Sequence, residues 1–387
     1  MSTIINTRSP YYIKIQIPSI TPLGKTTARL RVWNGDLIND RPVAPQYTIT
    51  KNPIGLNEYT IYEISELVRD FITAEYYTVV DGQFNPDAVW VEMSVDVFNA
   101  SNVFVETQIT TYLGLNGFGY FLEGAQPRKS IDPTQPSFTP MLLESNTEVC
   151  FIRGFDIKIP IFAETEPIIT TTISNGVWNE VDTFWQSYDI NWDQTTQAQQ
   201  ITDSDNTVDK IQYLIIQSDF VADGDTITIT STVGNPQTTT IKLCEICEPK
   251  YTPIRSIFYN KFGALQDVWM NKKSTINLSV KDQNFKANVM DFDPTIPVYN
   301  RLKHSERRFN VVANESITLN TDNLTEQYNE PIKQLLMTEQ SWLEDENEIN
   351  PVVIETKKIT VKTSVNDRMI QYTINFRYAF DKIQNIR

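Results

Sequence analysis

Three cysteines and a single histidine hold most of the specialised chemistry available to this chain. Cys244-Glu245-Ile246-Cys247 has the spacing of a redox pair or of half a zinc site, because two thiolates so placed reach one metal ion or close into a strained disulfide. A structural zinc takes four ligands, and besides this pair the chain offers only Cys150 and His304. The pair is therefore expected to be two ordinary cysteines where a strand runs into a loop. His304 stands in Arg301-Leu302-Lys303-His304-Ser305-Glu306-Arg307-Arg308, where four cations oppose its protonation. Service as a general base beside Ser305 or Glu306 would need sequence neighbours to face each other, which they seldom do. A solvated basic loop is expected.

Asp203, Asp205 and Asp209 place hard oxygen ligands close together, as a calcium loop does. An EF-hand counted from Asp203 would need glycine and glutamate where Val208 and Leu214 stand, so a solvated acidic turn is expected instead. Trp178, Trp185, Tyr188 and Trp192 lie beside Glu180, Asp182, Asp189 and Asp193, which is how a sugar-binding surface can look. It is also how a β-domain core with polar outer faces looks, and that core or interface reading is preferred. Trp178, Trp185 and Trp192 are kept as candidate glycan contacts. Paired carboxylates for glycoside hydrolysis are a property of a fold, not of sequence spacing. Gly114-Leu115-Asn116-Gly117-Phe118-Gly119 lacks the spacing and lysine of a P-loop and reads as a loop between sheets.

The charges are segregated. With 33 basic and 48 acidic side chains in 387 residues the net charge is −15, which opposes a nucleic-acid-coating role. Residues 159–209 hold nine carboxylates and no Lys or Arg, whereas residues 250–308 hold eleven cations against five carboxylates, a net of +6. Residues 321–350 return to acid, with eight carboxylates and Lys333. The basic block also carries Tyr251, Phe258, Tyr259, Phe262 and Trp269, which could stack on single-stranded nucleic acid. The acidic remainder makes contact with another copy or another subunit the better account, with Arg255, Lys261, Lys272, Lys273, Arg307 and Arg308 as candidate interface residues. No catalytic set, metal or cofactor is expected, and no nucleic acid or membrane as partner. No apolar run approaches the roughly 18 residues of a membrane span, and Met1 to Arg8 lack the features of a signal peptide, so a cytosolic origin is expected.

The elements that must carry these residues are mostly strands. Ile13, Ile15 and Ile17 alternate with polar neighbours, as do Ala28, Leu30 and Val32 up to the turn at Asn34-Gly35-Asp36. Val89, Val91, Met93, Val95 and Val97 form the cleanest strand of the first third. Between them, Ile61, Ile64, Leu67, Val68, Phe71 and Ile72 recur at helical spacing, with Thr60 and Glu63 spaced as a capping box. Residues 1–125 are read as a β-sandwich-like domain with one helix. Pro127, Pro133, Pro136 and Pro140 mark 126–144 as a connector. Residues 145–249, Thr-rich with a turn at Asp223-Gly224-Asp225, read as a small all-β sandwich that could be an insertion. In a β-rich domain over 250–387, Pro331, Ile332, Leu335, Leu336 and Leu343 predict a helix, and alternation from Ile370 to Phe380 a final strand. The fold class is thus mainly β: two or three sandwich-like domains with a few short helices.

Several of these stretches carry a resemblance. Ser9-Pro10-Tyr11-Tyr12-Ile13-Lys14-Ile15, the strand ending Trp33-Asn34-Gly35, the segment Ile64 to Ile72, Phe258-Tyr259-Asn260-Lys261-Phe262-Gly263-Ala264-Leu265-Gln266-Asp267, Pro351 to Ile354 and Tyr372 to Ala379 resemble virion proteins of tailed bacteriophages infecting Bacteroidota. The resemblance touches both ends and the middle, and its motifs are packing patterns, not catalytic signatures. It implies a non-enzymatic tail, baseplate or collar component of the virion, made in the host cytoplasm and assembled with other virion proteins as a homo-oligomer. A host-surface glycan receptor module at the tryptophan cluster is the alternative.

Overall fold

In a computed structural model of the chain the alternating segments become strands, and the fold is mainly β with two short α-helices among the described residues. The structure describes residues 3–17, 23–53, 59–78, 88–124, 141, 143, 148–162, 168–173, 196–200, 210–230, 238–247, 249–292, 296–345, 348–361 and 370–383. The chain divides into two units. The first comprises Met1–Glu248, Ile257–Trp269 and Thr325–Gln340, and the second Pro249–Ser256, Met270–Leu324 and Ser341–Arg387. Among the described residues no helix is long and apolar enough to cross a membrane.

The first unit begins with β1 (Thr3–Asn6), β2 (Tyr12–Gln16), β3 (Leu23–Trp33), β4 (Tyr47–Lys51), β5 (Tyr59–Glu63), α1 (Ser65–Arg69), β6 (Ala88–Asn99) and β7 (Phe104–Leu115). Five of the strands form a sheet in the order β1-β7-β6-β3-β4, with β1 parallel to β7 and the other pairs antiparallel. Strands β2 and β5 pair separately. Val89, Val91, Met93, Val95 and Val97 of β6 meet Ile15, Tyr62, Ile64 and Val68 in one core, each such side chain contributing about 1.5–3 kcal/mol. The other face of β6 is buried too, because arginines lie over its carboxylates. Glu92 receives hydrogen bonds from Arg31 at 2.9 Å and from Arg41 through two nitrogens at 2.6 Å, and Asp96 pairs with Arg29 at 2.6 Å.

The expected helix from Thr60 is corrected to a strand followed by a short helix. Residues 59–63 pair with β2 from Tyr12↔Glu63 to Gln16↔Tyr59, and Thr60 and Tyr62 face inward, so period two prevails over the three- and four-residue spacing. The capping box is not formed: Thr60 Oγ1 bonds Thr26 Oγ1 at 2.8 Å instead. Glu63 still serves the start of α1, accepting the Ser65 N–H at 2.9 Å.

A second core of the same unit is built on β8 (Glu148–Phe151), β9 (Ile157–Phe162), β10 (Ile168–Ile173), β11 (Thr196–Gln200), β12 (Ile211–Ile216), β13 (Thr226–Thr230) and β14 (Thr238–Glu245). One sheet runs β11-β10-β13-β14-β8, with β8 parallel to β14, and the β9–β12 pair packs on it. The turn before β13 holds Gly224 at φ +86°, with Asp225 accepting the Ala222 N–H at 2.8 Å. Of the connector 126–144 only Met141 and Leu143 are described, and both are buried in this core.

Two later segments join the first unit, so residues 250–387 do not cluster as the single domain read from the sequence. The β15 (Ile254–Tyr259) and β16 (Leu265–Met270) hairpin turns through Asn260, whose Oδ1 accepts the N–H groups of Phe262 at 3.0 Å and Ala264 at 3.1 Å. Gly263 takes φ +80° there, and a Cβ on it would lie 2.9 Å from the Asn116 carbonyl carbon. The Lys261 carbonyl accepts from Phe118 N–H at 2.8 Å, and its N–H donates to Gln334 of α2 (Asn329–Met337) at 2.9 Å. Helix α2 buries Pro331, Ile332 and Leu335; Leu343 is not on it but in the strand that follows.

The second unit contains β17 (Thr275–Lys286), β18 (Met290–Phe292), β19 (Pro297–Tyr299), β20 (Glu306–Asn320), β21 (Ser341–Asp345), β22 (Glu348–Ile354) and β23 (Thr373–Tyr378). Five strands follow the order β21-β22-β23-β20-β17, so β17 is the edge. Ile317, Leu319, Trp342, Leu343, Val352, Ile374 and Phe376 are buried in this unit.

Candidate functional site

The candidate site of the second unit is the long β17–β20 ribbon. The two strands pair from Thr275↔Thr318 to Lys286↔Glu306, and the ladder continues through the Ala287 N–H to the Ser305 carbonyl at 2.9 Å and then through β18 and β19. Strand β23 covers β20 only from Ser316 to Asn320. Beyond that, β17 from Leu278 to Lys286 runs with β20 alone as its neighbour, for roughly 25–30 Å at the usual rise per residue. A register shift between Lys281 and Gln283 sets Asp282 opposite Asn310 and Val311, and Asn310 adopts φ +50°: a β-bulge of the kind that twists a ribbon.

Every residue of β17 is exposed, including Ile276 at 58%, Leu278 at 59% and Val280 at 45%. These three share one face of an uncharged stretch on an open sheet edge, which natural proteins rarely leave so unless it is paired. Further out, the rings of Phe285 and Phe309 meet edge-on at 5.7 Å with both side chains half-exposed, and Tyr299 and Leu302 stand exposed near the tip. A two-stranded ribbon is marginal in water alone. The tip is tied internally: Asp291 accepts from Lys303 and Asn300, and these bonds hold its carboxyl below the usual carboxylate range. His304 is exposed in this tip, as the sequence suggested.

The six candidate interface cations differ in burial and in pairing. Arg255 and Lys261 are a correction: both are buried, the first beside Glu344 at 3.5 Å and the second against Glu123 with its ammonium 4.8 Å from the centroid of the Tyr120 ring. Their charges are neutralised within the chain and cannot meet a partner. Lys261 belongs to the first unit and the other five to the second. Lys272 pairs with Asp322 at 3.0 Å and Arg308 with Asp282 at 2.6 Å, while Lys273 and Arg307 are exposed. The exposed apolar faces of the ribbon went unrecognised because alternation shows which residues share a face, not whether anything covers it.

The cysteines of the first unit are rearranged relative to the sequence motif. Cys244 of β14 is the register partner of Cys150 on β8, and Cys247 lies beyond the strand, exposed, its Sγ 3.8 Å from the Glu245 carbonyl. The Tyr328 hydroxyl accepts the Cys150 N–H at 2.5 Å. A hydrogen bond between the two thiols, followed by burial, pushes Cys150 well above the usual thiol range; the same bond holds Cys244 below it. Burial, then the neighbouring Cys150, raises Tyr328. Among the described residues no group of three or more His, Cys, Asp or Glu is placed to hold a metal ion. Trp178, Trp185 and Trp192, and Asp203, Asp205 and Asp209, lie outside the described residues.

No family model matches the chain, and no curated protein matches it. Among solved structures, dimeric latent PorU from Porphyromonas gingivalis is similar over 82% of this chain at 10% identity, with a TM-score of 0.19. The match spans 30% of the PorU chain. A likeness at that level carries no argument about fold or function.

Proposed function

We propose that this chain is a non-enzymatic structural component of a tailed-phage virion, in the tail or baseplate, that assembles through the β17–β20 ribbon with copies of itself or with other virion proteins. The observation that carries the reading is the ribbon: an open edge strand with Ile276, Leu278 and Val280 exposed on one face and only two strands at its distal end. Strand addition or insertion beneath a neighbouring subunit would cover that face and complete the hydrogen-bonding of the edge. One feature read from the sequence adds support: the resemblance to phage virion proteins.

The test has two arms. Particles purified from a lysed host culture are probed by immunogold labelling against this chain, and labelling confined to the tail or baseplate is expected. In parallel, the mass of the purified chain in solution is compared with that of the Leu278→Glu variant; the wild type is expected to associate and the variant to remain monomeric. Unlabelled particles would remove the virion reading. A variant that still associates would remove the ribbon from it. The glycan-receptor alternative, centred on Trp178, Trp185 and Trp192, predicts array binding that Trp185→Ala abolishes.

A further inference from the structure

We propose that Cys150 and Cys244, and not the Cys244-x-x-Cys247 pair that the sequence offers, form a disulfide site that staples the edge strand β8 to β14. Parallel register places the two residues directly opposite each other, Cys244↔Cys150, between the partners Leu243↔Val149 and Glu245↔Phe151. Neighbouring strands run about 4.8 Å apart, inside the roughly 4.4–6.8 Å that a disulfide spans between Cα atoms. Both thiols are free and only partly buried, at directly paired positions of one ladder. Cys247 is two residues past the end of β14, with its sulfur turned to the Glu245 carbonyl.

The oxidant is a small-molecule disulfide such as oxidised glutathione. Cys244, on losing its proton to solvent, attacks one sulfur of the oxidant and releases one small thiolate, leaving a mixed disulfide. Cys150 then loses its proton to solvent, attacks the Cys244 sulfur and expels the second small thiolate. Two protein thiols and one small disulfide become one protein disulfide and two small thiols. Cys150 donates its backbone N–H to the hydroxyl of buried Tyr328, and its thiol is held above the usual range while that of Cys244 is held below it, a difference that orders the two attacks. The bridge would close the chain from 150 to 244 over all of β9 to β13, a long loop whose constraint in the unfolded chain is correspondingly large.

The experiment uses the full, unmodified chain. After reduction and desalting it is incubated with oxidised glutathione, free thiols are blocked with iodoacetamide, and unreduced peptides are mapped by mass spectrometry. Peptides containing Cys150 and Cys244 are expected to be linked and Cys247 alkylated, with the melting temperature raised by about 5–10 °C over the reduced protein. The Cys247→Ser variant is expected to give the same link. A link through Cys247, glutathione retained on Cys244 with Cys150 alkylated, or an unchanged melting temperature would each overturn the assignment.

Discussion

Glu92 shows how a strand with alternating apolar and polar residues can be buried on both faces. Its carboxylate lies between Arg31 and Arg41, and the bonds from Arg41, acting against burial, hold its pKa below the ordinary carboxylate value. A group depressed in the folded state stabilises the fold above its unfolded pKa, about 4.3, and that contribution is lost as pH falls through the folded value. Urea unfolding of the first unit should therefore show constant stability near neutrality and a decline below about pH 4.3. Glu92→Ala should cost about 3 kcal/mol at pH 7 and flatten that decline, because it leaves two guanidinium groups without their shared partner. Tyr328→Phe tests a second buried bond: removing the acceptor of the Cys150 N–H should lower stability by about 1–3 kcal/mol, read from the same curves.

The β15–β16 hairpin and the β17–β20 ribbon put opposite demands on their residues. In the hairpin, Gly263→Ala would force a side chain into φ +80° and against Asn116, so a loss of about 2 kcal/mol or more is expected in thermal melts. In the ribbon, Ile276→Lys should leave the melting temperature of the monomer within about a degree or two, since an exposed substitution is usually neutral, yet abolish association in sedimentation. The strands at Ile13–Ile17, Ala28–Val32, Val89–Val97 and Thr373–Tyr378 were legible because period two is a local property of the sequence. The stretch from Thr60 was not, because its apolar residues satisfy both periods and pairing with β2 decides between them. The Cys150–Cys244 pairing was equally invisible: it depends on a parallel register between strands some ninety residues apart. Buried Lys261 was misread for a similar reason, since Glu123 and Tyr120 come to it from a distant part of the chain.

At the scale of the whole chain, the net charge of −15 says little about the association proposed above. Much of the basic block is paired within the protein, through Arg255, Lys261, Lys272, Lys303 and Arg308, and one open stretch of the ribbon edge carries the apolar Ile276, Leu278 and Val280. Association should accordingly persist when salt is raised from 0.1 M to 1 M, where screening extends to about 3 Å, and sedimentation at the two concentrations checks it. The first unit, moreover, takes in Ile257–Trp269 and Thr325–Gln340 from beyond its main segment. On the ribosome the first unit therefore cannot close its packing until residue 340 has emerged, at synthesis rates of about 5–20 residues per second some tens of seconds after its first strand. Its early strands wait through that interval with a piece missing, and the nascent chain is a natural client for chaperones until that helix arrives.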